Sequence, residues 1–460
     1  MEHCLDTGCL SYFTSNHDKH DEQWLQKGSQ LTLVCFACFV EIIENKNEPS
    51  IRKTRIVHEL LNLISTGNIL NILKTNDSVI FHLLNCLWEL IDLDENNASQ
   101  NMTVVEIICQ LCCSLKSEAF LGKVMEYLSQ KITAAENIKN VSPQLDLLGK
   151  LLQKIPGLAK NVVRHRQNII TCLAKGLDSH EERIQSSLFF IITHFYRDED
   201  CHSAIPVTTT ETIFRECCEA LTNATSKELQ INSVALLQSL TIAENLPKSS
   251  QTLAENIQRA IISLKKAFLS KDDLVKSLAI GCLDNLVVYD ESIIDSDLTG
   301  FLFEVFTTKS ESLLSLGFQC VSKMVEKKRL YTKGHVIYGF ETVVSALMMV
   351  CENKNSKLVK QGSSVLTKIF ANCPVELSLI SSNKVLLQCL DVINRGLCSS
   401  DDAVFLQACR CFSSFLERRH FACDVPYSRL MALIEPLVER LRKSCTRTGH
   451  WNHAENKGIW

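Results

Sequence analysis

Cys4, Cys9, His17 and His20 place two thiols and two imidazoles within the first twenty residues, and these are the donor types that tetrahedral zinc takes. The spacing argues against a zinc module. Seven residues lie between Cys9 and His17 and two between the histidines, against a loop of about 12 and a wider histidine pair in the usual fingers. A polar tail is the expected reading. Cys35-Phe-Ala-Cys38 is a Cys-x-x-Cys pair, but it sits in the apolar run Leu31 to Val40 with no second pair. It reads as core filling, since a free cysteine packs as a small hydrophobe. Cys109, Cys112, Cys113, Cys217, Cys218, Cys409 and Cys411 read the same way. The chain contains no Gly-x-x-x-x-Gly-Lys loop, Gly-x-Ser-x-Gly elbow or His-Glu-x-x-His helix. No catalytic residue, cofactor or metal is therefore assigned, and an enzyme is not expected.

Charge offers a second kind of chemistry. Residues 1–100 hold fourteen acids against seven bases, while residues 403–460 hold nine bases against five acids, among them Arg418, Arg419, Arg429, Arg440, Arg442, Lys443 and Arg447. Another basic knot runs Lys323, Lys327, Lys328, Arg329 and Lys333. Phosphate binding by such groups would be sequence-blind and salt-dependent, and knots without interleaved aromatics are usually solvated helix faces. Proteins are thus the expected partners, and direct DNA contact, a membrane or a small-molecule substrate is not. A net charge of −4 fits neither a nucleic-acid coat nor an acidic tail.

The elements that carry these residues are helical. In 460 residues there are 22 Cys but only 16 Gly and 8 Pro, too few turn formers for sandwiches or Pro-rich disorder. No cationic leader precedes an apolar stretch, and the run Leu31 to Val40 falls short of the ~18 residues of a membrane span. A soluble intracellular protein with reduced, buried thiols is expected. The sequons at Asn97, Asn101, Asn140 and Asn223 then carry no meaning.

Six segments align without gaps on a polar turn followed by an apolar helix, anchored at Ile184, Leu229, Val275, Leu314, Val359 and Val404, with spacings of 45, 46, 39, 45 and 45. Eleven residues after each anchor stand Phe195, Leu240, Leu286, Val325, Phe370 and Phe415, and seven after stand Ile191, Leu236, Cys282, Val321, Leu366 and Cys411. Both offsets keep to one helix face. A further apolar helix precedes each turn, and Ser, Asp, Asn and Thr in the turns suit N-caps. The fourth position (Leu188, Ser233, Ala279, Phe318, Ser363, Ala408) is small in four of six repeats, which would let helices approach closely.

Two helices per 40 to 47 residues resemble armadillo and HEAT repeats. The resemblance implies an all-α, armadillo/HEAT-like right-handed helical solenoid. The expected organisation is a flexible tail over 1–22, irregular helical repeats over 23–160, regular repeats over 161–445 and a flexible tail over 446–460. The helix Tyr427 to Cys445 is apolar on one face with no polar cap after it, so the chain is expected to be a fragment or short form of a longer array.

Repetition also creates a surface. The position after each anchor reads Gln185, Gln230, Lys276, Ser315, Lys360 and Phe405, and the ninth reads Thr193, Gln238, Asp284, Lys323, Lys368 and Ser413. Each column is polar in at least five of six repeats. Gln185, Thr193, Gln230, Gln238, Lys276, Asp284, Lys323, Lys360 and Lys368 are accordingly the candidate protein-binding ladder, expected on an exposed face of the second helices. Any amphipathic helix has a polar side, so the columns alone do not specify binding.

The stretch LLGKLLQKIPGLAKNVVRHRQNIITCLAKGLDSHEERIQSSLFFIITHFY, Leu147 to Tyr196, resembles the amino-terminal half of the meiosis inhibitor family of armadillo-like germ-cell proteins. That resemblance implies a nuclear, non-enzymatic scaffold required for meiotic DNA double-strand break formation and homologous chromosome synapsis, working with other break-machinery accessory factors. It supplies no catalytic residue. The alternative is an armadillo-type adaptor in nuclear transport or ubiquitin ligation. Grooves that bind basic peptides use recurrent Trp, whereas Trp24, Trp88, Trp451 and Trp460 all lie outside the six repeats.

Overall fold

The stripe running from Ile184 to Phe195 is buried along its length, and so is its counterpart in every repeat. All six anchors, together with the residues seven and eleven positions on, are 6% exposed or less. Burial of that face is what holds these segments as helices, since a helix this short is marginal in water without tertiary packing. The computed structural model describes residues 40, 42–65, 70–74, 77–93, 98–179, 181–198, 201, 203–242, 245, 250–287, 296–326, 336–353, 355–372, 383–418 and 425–448. Among them the regular structure is helical, with no strand. The expected zinc candidates, the Cys35–Cys38 pair, the tail over 1–22 and the basic cluster beyond Lys323 lie outside the described residues.

The helices are α1 (Ser50–Ser65), α2 (Leu70–Lys74), α3 (Asp77–Leu93), α4 (Ala98–Leu115), α5 (Glu118–Ala134), α6 (Ser142–Lys154), α7 (Leu158–His165), α8 (Gln167–Lys175), α9 (Glu182–Arg197) and α10 (Val207–Asn223). They continue with α11 (Lys227–Leu240), α12 (Ser250–Phe268), α13 (Asp273–Leu286), α14 (Ser296–Glu304), α15 (Glu311–Glu326), α16 (Val336–Glu352), α17 (Ser356–Asn372), α18 (Asn383–Leu397), α19 (Asp402–Glu417) and α20 (Tyr427–Thr448). Two compact units divide the chain, Met1–Ile213 and Phe214–Trp460, and the division falls within α10.

In the first unit α1, α4, α6 and α9 pack as successive neighbours in one row, and α3, α5 and α8 pack against that row. Proline stands where helices begin, Pro49 before α1 and Pro143 in the first turn of α6, because its missing N–H is an orphan there anyway. Gly157, between α6 and α7, has φ 77°, which a side chain would strain.

In the second unit the second helices α11, α13, α15, α17 and α19 form one row, and α12, α14, α16, α18 and α20 form the other. The turns between rows are capped as the sequence suggested. Ser226 Oγ accepts from Leu229 N (3.3 Å), Asp272 Oδ1 from Leu274 N (2.9 Å) and Val275 N (3.3 Å), Asn355 Oδ1 from Leu358 N (3.2 Å), and Asp401 Oδ1 from Ala403 N (2.9 Å) and Val404 N (3.3 Å). Each cap is worth about 1 kcal/mol and sets where the anchor enters the core. Along the second-helix row, Phe370 and Phe415 meet edge to face with ring centroids 5.3 Å apart.

The fourth-position residues are buried, and the small ones sit at close approaches. Cys217 Sγ of α10 donates to Ser233 O of α11 (3.1 Å), and Ala408 of α19 lies where a Cβ on Gly396 of α18 would fall 2.7 Å from its own. Where the fourth position is Phe318, the small residue has moved to Gly362 of α17, whose missing Cβ leaves room for Leu347 and Phe318. Among the described residues no helix is long and apolar enough to cross a membrane.

Candidate functional site

The second helices hold the ladder residues, positioned by the buried stripe beside them and, on α11, α13, α17 and α19, by the capped turn before the helix. In the second unit Gln238, Asp284, Lys323 and Lys368 of the ninth position are half-buried at the seams between successive second helices. The amide of Gln238 on α11 lies against Gly281 of α13, and Asn285 Nδ2 donates to Gln238 O (3.0 Å). Asp284 of α13 receives Lys323 of α15, whose Nζ donates to its carbonyl (2.7 Å) and to Oδ2 (3.1 Å). Lys368 of α17 reaches back to Ser322 Oγ (2.7 Å) and to Glu326 Oε1 (2.6 Å) on α15. Ser413 of α19 is exposed.

Residues of the first column stand near helix starts and span the same range of exposure as the ninth. Gln230 Nε2 donates to Ala224 O (3.4 Å), while its Oε1 accepts from Ser270 Oγ (3.3 Å) one repeat on. Lys276 is half-buried, Ser315 Oγ donates to Gln361 Oε1 (2.9 Å), and Lys360 is exposed. Phe405 is buried, and the Arg440 guanidinium lies 4.1 Å above its ring.

In the first unit, Gln185 Nε2 donates to Leu177 O (3.2 Å). Thr193 corrects the expectation of an exposed column. It is 3% exposed, and its Oγ1 donates to Phe189 O (2.6 Å). A threonine whose hydroxyl is satisfied within its own helix can be buried at little cost, so the column's polarity does not place it on the surface.

The cross-repeat partners were missed, yet the sequence held a signal for them: ion pairs recur at about one repeat length. Lys323–Asp284 are 39 residues apart, Lys139–Glu181 42, Arg395–Glu352 43 and Lys150–Glu106 44. Burial raises the Glu106 carboxyl, but Lys150 and Lys154 outweigh it and hold the group below the ordinary glutamate value. Within the second-helix row of the second unit, the Lys323–Asp284 and Lys368–Glu326 pairs spend part of the charge on one another. The row offers hydrogen-bonding groups at repeat intervals and no arrangement of nucleophile and base.

The family description of the meiosis inhibitor protein 1 N-terminal domain matches residues 34–458, which takes in almost all of both units. The chain belongs to that family. Meiosis inhibitor protein 1 of Mus musculus is 25% identical over 444 residues, covering 92% of this chain and 35% of the relative. The Homo sapiens protein of the same name is 25% identical over 448 residues, covering 93% of this chain and 35% of the relative. The chain thus spans about a third of the length of these relatives. This chain also shares its fold with a crystallised engineered protein from a structural genomics consortium, with a TM-score of 0.55, 16% identity, and coverage of 82% of this chain and 87% of that one.

Proposed function

We propose that this chain is a non-enzymatic protein-binding scaffold of meiotic cells. It acts in the nucleus with accessory factors of the break machinery, in the formation of programmed DNA double-strand breaks and the chromosome synapsis that depends on them. The observation that carries this reading is the family match over residues 34–458. The binding surface is the second-helix row of the second unit, through Gln230, Gln238, Lys276, Asp284, Lys323, Lys360 and Lys368, and in the first unit Gln185 holds the matching position on α9 while buried Thr193 is excluded. A partner gains affinity there by taking hydrogen bonds at repeat intervals along an extended face, as stacked repeats generally do.

The test is affinity capture of the tagged chain from spermatocyte extract, beside a Lys276→Glu/Lys360→Glu variant, with mass spectrometry of the bound proteins. Break-machinery proteins enriched by the parent chain and depleted with the variant are the expected result. Cargo receptors or ligase subunits in their place would move the function to an adaptor role.

A further inference from the structure

Three chemically different metal donors converge at the start of the first unit, away from the ladder. His82 and Cys86 are four residues apart on α3, so both side chains leave the same face of the helix. Glu44, in the helical segment 42–44, meets them there. His82 Nε2 lies 2.9 Å from Glu44 Oε1, Cys86 Sγ lies 3.4 Å from the same oxygen, and the three ligand atoms all fall within 4.8 Å of one another. Cys86 is 4% exposed, while the His82 and Glu44 side chains are 45% and 43% exposed, so the group is rooted in the core and open on one side.

We propose that Glu44, His82 and Cys86 form a zinc site with its fourth position open to water. One thiolate, one imidazole and one carboxylate are ligand types that Zn2+ accepts, and three protein ligands plus water is a complete tetrahedral set. Bond lengths of about 2.0 to 2.3 Å around a tetrahedral ion put neighbouring donors about 3.4 to 3.6 Å apart. The two separations to Glu44 Oε1, 2.9 and 3.4 Å, lie within about half an ångström of that, and the His82 and Cys86 donor atoms, within 4.8 Å of each other, close onto the ion by side-chain rotation. Bound zinc would tie the segment ending at Glu44 to α3. Without metal, burial and the Glu44 carboxylate push the Cys86 thiol up to about 12. Zinc takes the thiolate, so binding at this site releases the Cys86 proton.

The experiment is titration of the purified full chain with Co2+ alone, followed by zinc competition. One Co2+ per chain is expected, with tetrahedral d–d bands and a thiolate charge-transfer band, both abolished by stoichiometric Zn2+. Because the chain has 22 cysteines, the assignment rests on variants. Cys86→Ser should remove the charge-transfer band with helical circular dichroism retained. His82→Ala, at a half-exposed position, should keep the fold and weaken Co2+ binding at least tenfold. Absence of a band overturns the proposal. So does a band that survives Cys86→Ser, or one that is lost only when Cys4 and Cys9 are replaced.

Discussion

Lys323 Nζ of α15 bridges both the backbone carbonyl (2.7 Å) and the carboxylate (3.1 Å) of Asp284 on α13, one repeat earlier. Both side chains keep about a third of their exposure, so water competes for the pair. Its worth should be that of a surface ion pair, about 0.2 to 1 kcal/mol. A double-mutant cycle on Lys323→Ala and Asp284→Ala, read by thermal unfolding, should give a coupling in that range that shrinks in high salt. A coupling of zero would mean that the carboxylate adds nothing to the seam beyond the Lys323 bond to the Asp284 carbonyl and the apolar stripe.

Two glycines should respond oppositely to alanine. At Gly396 the added Cβ meets Ala408 Cβ at 2.7 Å, and a methyl cannot rotate away, so α18 and α19 must separate. Gly396→Ala should cost about 1 to 3 kcal/mol. At Gly281 the obstacle is the far end of the Gln238 side chain, which can swing aside. Gly281→Ala should be neutral or gain up to about 1 kcal/mol through helix propensity. Denaturant midpoints of the two variants test the contrast.

The register of the repeat can be tested on a single helix. Leu236 is fully buried on α11, and Gln238, two residues on, is half-buried at the seam. Leu236→Asp places an unpaired charge in the core and should cost more than about 4 kcal/mol, whereas Gln238→Asp should stay within about 1 kcal/mol. Equal losses of helical circular dichroism would contradict the burial assigned to the two positions.

Acid should act through the caps. The Lys227 ammonium and the backbone N–H groups of Val275 and Leu274 hold the Asp272 carboxyl below its ordinary value, and the N–H groups of Val404 and Ala403 do the same for Asp401. A carboxyl with a depressed folded-state value contributes stability that is present above the ordinary aspartate value of about 3.9 and is lost as pH falls through the lower folded value. Asp272→Asn and Asp401→Asn should thus lower stability at neutral pH and flatten its decline below about pH 4. Melting temperatures measured from pH 7 to pH 2 check the sign.

Thiol reactivity should follow burial. Burial pushes Cys218 and Cys411 up to about 12, while Cys398 is exposed. Brief alkylation of the native chain, mapped by peptide mass spectrometry, should modify Cys398 and leave Cys218 and Cys411 intact until denaturant is added.

The sequence by itself determined which residues face the core of each second helix. The eleven-residue relation from Ile184 to Phe195, repeated through Val404 to Phe415, is an imprint of one helix burying one stripe, and the spacing of that stripe is written within each helix's own sequence. The caps at Ser226, Asp272, Asn355 and Asp401 were legible for the same reason, since a cap acts within a single turn. What pairs with what required the tertiary structure. Thr193 and Gln238 share a column, but one is buried and the other lies at a seam, because each position's exposure depends on what packs over it. Glu44, His82 and Cys86 carry no joint pattern in the chain, and only the packing of the segment 42–44 against α3 brings them within 4.8 Å. Periodicity is local and can be read along one helix, whereas a site assembled from two elements exists only once stacking has fixed their relative register.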